Sequence, residues 1–286
     1  MVPAKLLLLG EYSVLHGSAA LAFPYERFSG ELVLPGSMRD PDPAWVDSNR
    51  SLQELYEYLT EGERINLSGQ ILDLAQFRME LDGKLFFLST IPANYGVGSS
   101  GSLVAALYRR FGHKNETSPE DLRKRLAFIE SFFHSTSSGT DPLVCYLNRP
   151  VCIRDGKVTT PDITLDELRK HIKINLIDSE TSGQTKTGVS GFSINRETDP
   201  LRAELYESEY IPLVNQVINN IIAKEFGTLN SDICKISELQ LQLFTDLFPP
   251  SIREKAEICL REGCGAIKLC GSGGGGFFLH FKPVTG

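Results

Sequence analysis

One stretch, residues 94–107 with the sequence NYGVGSSGSLVAAL, constrains this chain more than any other. Its first half consists mainly of glycines and hydroxyl side chains, and its second half is apolar with helical spacing. A helix that begins in such a loop presents free N–H groups and the positive end of its dipole. Glycines let the backbone approach an anion closely, and serine hydroxyls add donors or a ligand for Mg²⁺. The stretch therefore predicts either a phosphate-binding loop or a plain turn in which Ser99 or Ser100 caps the helix.

The same glycines, Gly96, Gly98 and Gly101, also fit the G-x-G-x-x-G pattern of dinucleotide-binding proteins. That pattern requires a hydrophobic strand that runs directly into the first glycine, whereas residues 92–95 read PANY here. A P-loop is excluded because no G-K-[ST] ends the run. The loop is thus a weak candidate for a nicotinamide dinucleotide.

Two further segments combine glycines with hydroxyls. Residues 271–276 read GSGGGG, and so many glycines cost considerable backbone entropy on folding. This segment predicts a close approach of its backbone to a ligand, with a loose turn as the alternative. Residues 135–142 read STSSGTDP. Asp141 in this segment either caps a turn before the proline or, in a phosphate-transferring protein, orients an attacking hydroxyl and accepts its proton.

The chain has 286 residues, 41% of them hydrophobic, which suffices for one large domain or two modest ones. Strand and helix signals are mixed and include hairpin turns, so an α+β fold is predicted rather than an all-parallel sheet. Hairpins are predicted at residues 78–88, turning at Asp82-Gly83, and at residues 150–161, turning at Asp155-Gly156. The domains are predicted to cover residues 1–165 and 166–286.

Charge and cysteine usage exclude several classes of protein. A net charge of -7 gives no general support to a nucleic acid or an anionic membrane as partner. No stretch approaches the roughly 20 apolar residues of a membrane span, and Leu6–Leu9 is too short for a signal sequence. The six cysteines form no C-x-x-C pair. They are typical of reduced thiols, so a cytoplasmic protein is expected.

Three segments resemble the motifs of the GHMP kinase superfamily and occur in the family's order. They are PAKLLLLGEYSVLHG at 3–17, IPANYGVGSSGS at 91–102 and KLCGSGGGG at 268–276, and together they span nearly the whole chain. Within the superfamily, Glu130 followed eleven residues later by Asp141 is most similar to the mevalonate kinases. One position departs: Tyr12 stands where mevalonate kinases usually have His and phosphomevalonate kinases commonly have Tyr.

The resemblance implies a fold of two α+β domains with the active site between them. The N-terminal domain would be similar to domain 2 of ribosomal protein S5, and the C-terminal domain would be ferredoxin-like. It also implies ATP, Mg²⁺ and phosphoryl transfer to a small-molecule alcohol, with mevalonate favoured over phosphomevalonate. Another GHMP small-molecule kinase, a diphosphomevalonate decarboxylase and a binding module without catalysis are the alternatives. No nucleic-acid or membrane partner is implied, and a homodimer is left open.

The resemblance assigns roles residue by residue. ATP phosphates are expected at Gly96, Gly98, Ser99, Ser100, Gly101 and Ser102. Mg²⁺ is expected at Ser100 and Glu130. Asp141 is expected to orient the acceptor hydroxyl or take its proton, with Lys5 beside it. The acceptor is expected to contact Glu11, Tyr12, Thr185, Gly273 and Gly274, whereas His134 is expected to be structural.

Overall fold

The computed structural model describes residues 1–36, 42–115, 117–134, 136–181 and 199–284. The strands are β1 Val2–Leu9, β2 Ala20–Val33, β3 Phe86–Ser89, β4 Val151–Arg154, β5 Lys157–Thr159, β6 Ile172–Asp178, β7 Ala266–Leu269 and β8 Phe277–Pro283. The α-helices are α1 Pro43–Thr60, α2 Arg64–Ile71, α3 Leu74–Asp82, α4 Ser99–Phe111, α5 Pro119–Glu130, α6 Thr140–Leu147, α7 Leu165–Arg169, α8 Pro200–Leu205, α9 Ile211–Ile222, α10 Leu229–Leu243 and α11 Pro250–Glu262. The α+β class predicted from the sequence is confirmed.

The chain divides into two compact units that exchange segments. The first comprises Met1–Lys5, Pro24–Pro92 and Gly98–Asn148, and the second comprises Leu6–Phe23, Ala93–Val97 and Arg149–Gly286. Strands β1 and β2 each begin in one unit and end in the other. The opening glycine loop passes from the second unit to the first between Val97 and Gly98. The domain boundary at residue 165 stays a prediction.

In the first unit, the end of β2 pairs antiparallel with β3, so that Gly30 lies opposite Ser89 and Val33 opposite Phe86. Helices α4, α5 and α6 pack on one another. Helix α5 begins as the sequence suggests, because the Ser118 hydroxyl accepts a hydrogen bond of 3.1 Å from the Asp121 N–H. Fully buried side chains form the core, among them Leu52, Leu55, Phe77, Val104, Leu107 and Phe111.

In the second unit, three antiparallel strands lie in the order β6-β8-β7. The register places Ile174 opposite Phe281 and Lys268 opposite Leu279. Helices α10 and α11 pack on β7. Because β7 leads directly into residues 271–276, this packing holds the start of that glycine segment.

One of the two predicted hairpins is correct. Strands β4 and β5 pair around Asp155-Gly156, whose φ angles of 50° and 75° suit a tight hairpin turn. The hairpin predicted at residues 78–88 is wrong. Its first half is helix α3, capped by Asp73, whose carboxylate accepts a bond of 2.9 Å from the Gln76 N–H. The buried Phe77 and Leu81 lie four residues apart, a helical spacing that outweighs the turn signal of Asp82-Gly83.

The structure shows no helix, in the ranges it describes, that is long and apolar enough to cross a membrane.

Candidate active site

The opening glycine loop leads into helix α4 in the first unit. Gly98 is the residue before the helix and has a φ of 77°, a left-handed conformation that favours glycine. A Cβ on Gly98 would lie 2.8 Å from the Lys5 side chain, and one on Gly101 would lie 2.9 Å from the Asp141 backbone. These two glycines therefore let the N-terminal turn of α4 approach both predicted catalytic residues.

Lys5 and Asp141 form an ion pair, with Lys5 Nζ 3.0 Å from Asp141 Oδ2. Strand β1 carries Lys5, and its side chain is only 4% exposed, whereas the side chain of Asp141 is 34% exposed. Asp141 is in the first turn of α6, directly after Gly139 and Thr140. The pair thus presents an accessible carboxylate backed by a buried cation.

Glu130 is the last residue of α5, and its side chain is buried. Its carboxylate accepts hydrogen bonds from the Ser100 hydroxyl at 3.2 Å and from the Ser137 hydroxyl. Burial, and after it the nearby negative charge of Asp141, raises the pKa of Glu130, which stands at about 7. The hydroxyls of Ser137 and Ser100 and the charge of Lys5 oppose this shift.

Ser137 and His134 complete this cluster, and the sequence reasoning gave neither of them a functional role. His134 Nε2 lies 3.2 Å from Ser100 Oγ, and Ser137 also accepts a hydrogen bond of 2.9 Å from the Gly139 N–H. His134 lies four residues beyond Glu130, in the turn that follows α5, and its N–H bonds back to the Glu130 carbonyl at 3.4 Å. A histidine so close to a helix-terminal carboxylate is the signal that could have pointed to this cluster.

The pair of oxygens from Ser100 and Glu130 suits a small hard cation. Octahedral Mg²⁺ at its usual ligand distance sets neighbouring ligands about 3 Å apart, close to the 3.2 Å separation here. Mg²⁺ is usually held by one or two carboxylates together with substrate phosphates and water. No group of three or more His, Cys, Asp or Glu side chains that could hold a metal occurs among the described residues. The donor set thus fits Mg²⁺ that shares its shell with phosphate oxygens.

Ser102 differs from its neighbours in the loop. It is fully buried, and its hydroxyl donates to the Val2 carbonyl at 3.3 Å. Its position in the motif is therefore also explained by packing between α4 and β1.

The second unit contains the other motif residues. Glu11 is buried and pairs with Lys268, which is fully buried and also donates to the Leu269 carbonyl at 2.7 Å. The amide group of Gln240 lies 3.4 Å from the Glu11 carboxylate and accepts a bond of 2.9 Å from the Leu269 N–H. Glu11 of the first motif is thereby fixed to strand β7, which leads into the glycine segment 271–276.

The glycines of the third segment meet protein on several sides. A Cβ on Gly273 would lie 2.8 Å from the Leu269 side chain, and one on Gly276 would lie 2.6 Å from Tyr95 Cα. A Cβ on Gly96 would collide with the Cys270 carbonyl oxygen. Gly274 is different, because a Cβ there would meet nothing within 4 Å. Close backbone packing thus accounts for part of this glycine content, and Gly274 borders open space.

The structure therefore gathers the predicted residues in two groups. Lys5, Asp141, Ser100 and Glu130 come together in the first unit, and Glu11, Tyr12 and Gly273 belong to the second. Thr185, predicted to contact the acceptor, lies outside the described residues.

Comparisons with known proteins give the same family as the motifs. Residues 66–149 match the model of the GHMP kinases N terminal domain. A mevalonate kinase of Thermococcus sibiricus is 24% identical over 308 residues, covering 98% of this chain and 88% of the relative. The fold is similar to that of L. major mevalonate kinase in complex with R-mevalonate, with a TM-score of 0.66, 18% identity and coverage of 98% of this chain and 85% of that one. The Methanococcus jannaschii mevalonate kinase has a TM-score of 0.61 at 19% identity, covering 98% of this chain and 89% of that one.

The fold is thus that of solved mevalonate kinases. Residues 66–149 are similar to the N-terminal domain of the GHMP kinases, and the chain as a whole is similar to mevalonate kinases. The resemblance stated from the three motifs is confirmed.

Proposed function

We propose that this protein is an ATP-dependent kinase that phosphorylates the primary hydroxyl of mevalonate. The ion pair between Lys5 and Asp141 carries the proposal, because it supplies an accessible carboxylate and a fixed positive charge at one place. Phosphoryl transfer passes through a loose transition state, so that positioning and charge stabilisation provide most of the catalysis.

In this proposal Asp141 accepts a hydrogen bond from the acceptor hydroxyl, orients the oxygen for attack and takes its proton. The buried Lys5 keeps the carboxylate directed and stabilises the negative charge that develops on the transferred group. The short distance between the two side chains and the greater exposure of Asp141 support this division of roles.

The N-terminal turn of α4 would bind the ATP phosphates through the backbone N–H groups of Gly98 to Ser102. Ser100 and Glu130 would hold Mg²⁺, which when bound neutralises charge on phosphate oxygens. Glu130 must lose its proton to serve as a ligand, and a pKa of about 7 keeps that change within the neutral range.

The acceptor would contact Glu11, Tyr12, Thr185, Gly273 and Gly274. Because Glu11 is buried against Lys268, we assign it a positioning role within this group. The names of the relatives favour mevalonate. Tyr12 favours the second candidate, phosphomevalonate, since phosphomevalonate kinases commonly carry tyrosine there. The six free cysteines support a cytoplasmic location, and a homodimer is the assembly left open.

A coupled assay of ADP release tests the proposal. The purified chain is given ATP, Mg²⁺ and, in turn, mevalonate, phosphomevalonate, homoserine and galactose. We expect the highest kcat/KM with mevalonate. Faster turnover of phosphomevalonate would favour the second candidate, and no turnover of any acceptor would favour a binding module.

A further inference from the structure

The glycine segment 271–276 must be held in shape by its surroundings. Gly271, Gly273, Gly274 and Gly276 all have φ angles in the left-handed range, between 68° and 101°. Such a segment loses much conformational freedom on folding, so contacts from outside it must compensate.

Backbone hydrogen bonds hold its second half. The Gly274 N–H donates to the Leu247 carbonyl at 2.8 Å, and the Gly276 N–H donates to the Thr181 carbonyl at 2.6 Å. In the first half of the segment, the Ser272 carbonyl accepts a further hydrogen bond from a group elsewhere in the chain.

That group is the side chain of Tyr12. Its hydroxyl donates a hydrogen bond to the Ser272 carbonyl, across 260 positions of sequence. The ring is 6% exposed and lies 5.5 Å from the ring of Phe244, centroid to centroid. Burial raises the pKa of the Tyr12 phenol, and the charge of Glu11 adds to this, so the hydroxyl keeps its proton and remains a donor.

The backbone at Tyr12 is strained. Its φ of 52° and ψ of -43° are rarely adopted by a residue with a side chain. Strain of this kind persists where the surrounding structure fixes it, and it clusters at functional sites. Tyr12 lies two residues after Gly10, and its phenol bonds to the glycine segment.

We infer that Tyr12 is a positioning residue whose hydroxyl fastens the glycine segment 271–276 in the shape that receives the acceptor or ATP. This inference rests on the proposed function only for the identity of the ligand. The effect of the hydroxyl on the segment exists before any ligand is bound, so it can be measured apart from the acceptor contact proposed for Tyr12.

Amide hydrogen exchange of the ligand-free protein, followed by mass spectrometry, tests the inference. In Tyr12→Phe, which keeps the ring, we expect the peptide covering 270–277 to exchange about tenfold faster, as loss of one buried hydrogen bond allows. The matched control is Tyr206→Phe, because the Tyr206 hydroxyl lies 3.0 Å from His16 Nδ1 in the same unit. It should leave exchange at 270–277 unchanged. Phe244→Leu keeps the Tyr12 hydroxyl but removes the ring that packs against Tyr12. It should therefore produce a smaller increase in exchange at the same peptide.

Kinetics completes the test. If wild-type protein turns over an acceptor, Tyr12→Phe should raise a KM several-fold more than it lowers kcat. Unchanged exchange at 270–277 overturns the inference, and with a raised KM it indicates direct contact with substrate instead. Faster exchange with unaltered KM values also overturns it. An inactive wild type would refute the proposed function, while the exchange comparison would still decide whether Tyr12 fastens the segment.

Discussion

Lys5 Nζ lies 3.0 Å from Asp141 Oδ2, with the lysine almost completely buried and the aspartate one-third exposed. A buried lysine requires a partner, and here the partner is reachable by a ligand. The two glycines at 98 and 101 leave the space that brings both side chains against the first turn of α4. This arrangement leads to the first two predictions.

Asp141→Asn should lower kcat by roughly 10²–10⁴-fold, the range of general-base contributions. ATP affinity should persist, because the proposed phosphate contacts come from backbone amides of α4. The melting temperature should change little. Asp166→Asn is the matched control, since Asp166 also lies in the first turn of a helix and pairs with a basic residue, Arg169, at 2.9 Å. A melting temperature that falls while kcat holds would make Asp141 a structural cap.

Lys5→Met should also lower kcat, by about 10²-fold or more, because the developing charge loses its fixed cation. If the two residues act as one unit, the double variant with Asp141→Asn should be scarcely slower than the worse single variant. The measurement is a double-mutant cycle on kcat. Fully multiplicative losses would show that Lys5 and Asp141 act independently.

Glu130 predicts a pH dependence of stability. Its pKa is raised from the usual 4.5 to about 7 in the folded protein, so the folded state binds the proton more tightly than the unfolded state. In the absence of metal, the free energy of unfolding should therefore fall as pH rises from about 4.5 to about 7. Glu130→Gln should remove this fall, so that the variant gains stability relative to wild type as pH increases. Denaturant unfolding at pH 5, 6, 7 and 8 checks this, with the exposed Glu254→Gln as control.

Mg²⁺ should stabilise the wild-type protein more at high pH than at low pH. Because the ligand is the deprotonated carboxylate, the rise in melting temperature on adding Mg²⁺ and a non-hydrolysable ATP analogue should grow between pH 6 and pH 8. Glu130→Gln should show a smaller rise with less dependence on pH. An equal response in both proteins would exclude Glu130 from the metal site.

Gly101→Ala should destabilise the protein by about 1–3 kcal/mol, although alanine favours helices more than glycine does. The added Cβ would lie 2.9 Å from the backbone at Asp141 and Pro142, so α4 and α6 would have to separate. The control is Gly69→Ala in α2, where the nearest atom would be 4.0 Å away. That substitution should instead stabilise the protein by about 0.5–1 kcal/mol. Chemical denaturation of the two variants measures both effects.

The sequence by itself determined the resemblance to the GHMP kinases, the α+β class and the helix that follows the opening glycine loop. It could do so because glycine conformations, helix caps and apolar spacing are local properties that a short segment specifies. The hairpin predicted at residues 78–88 is wrong because two local signals compete there. The turn signal of Asp82-Gly83 is weaker than the helical spacing of Phe77 and Leu81, which are both buried.

Only the tertiary structure decided which distant groups meet. It brought Lys5 to Asp141, set Ser100 between Glu130 and His134, and joined the Tyr12 hydroxyl to the Ser272 carbonyl. It also showed that Glu11 is buried against Lys268, a pairing across 257 positions that no local pattern encodes. Such contacts depend on how whole helices and strands pack, and the energy of a buried charge or hydroxyl is settled by the partners that this packing supplies.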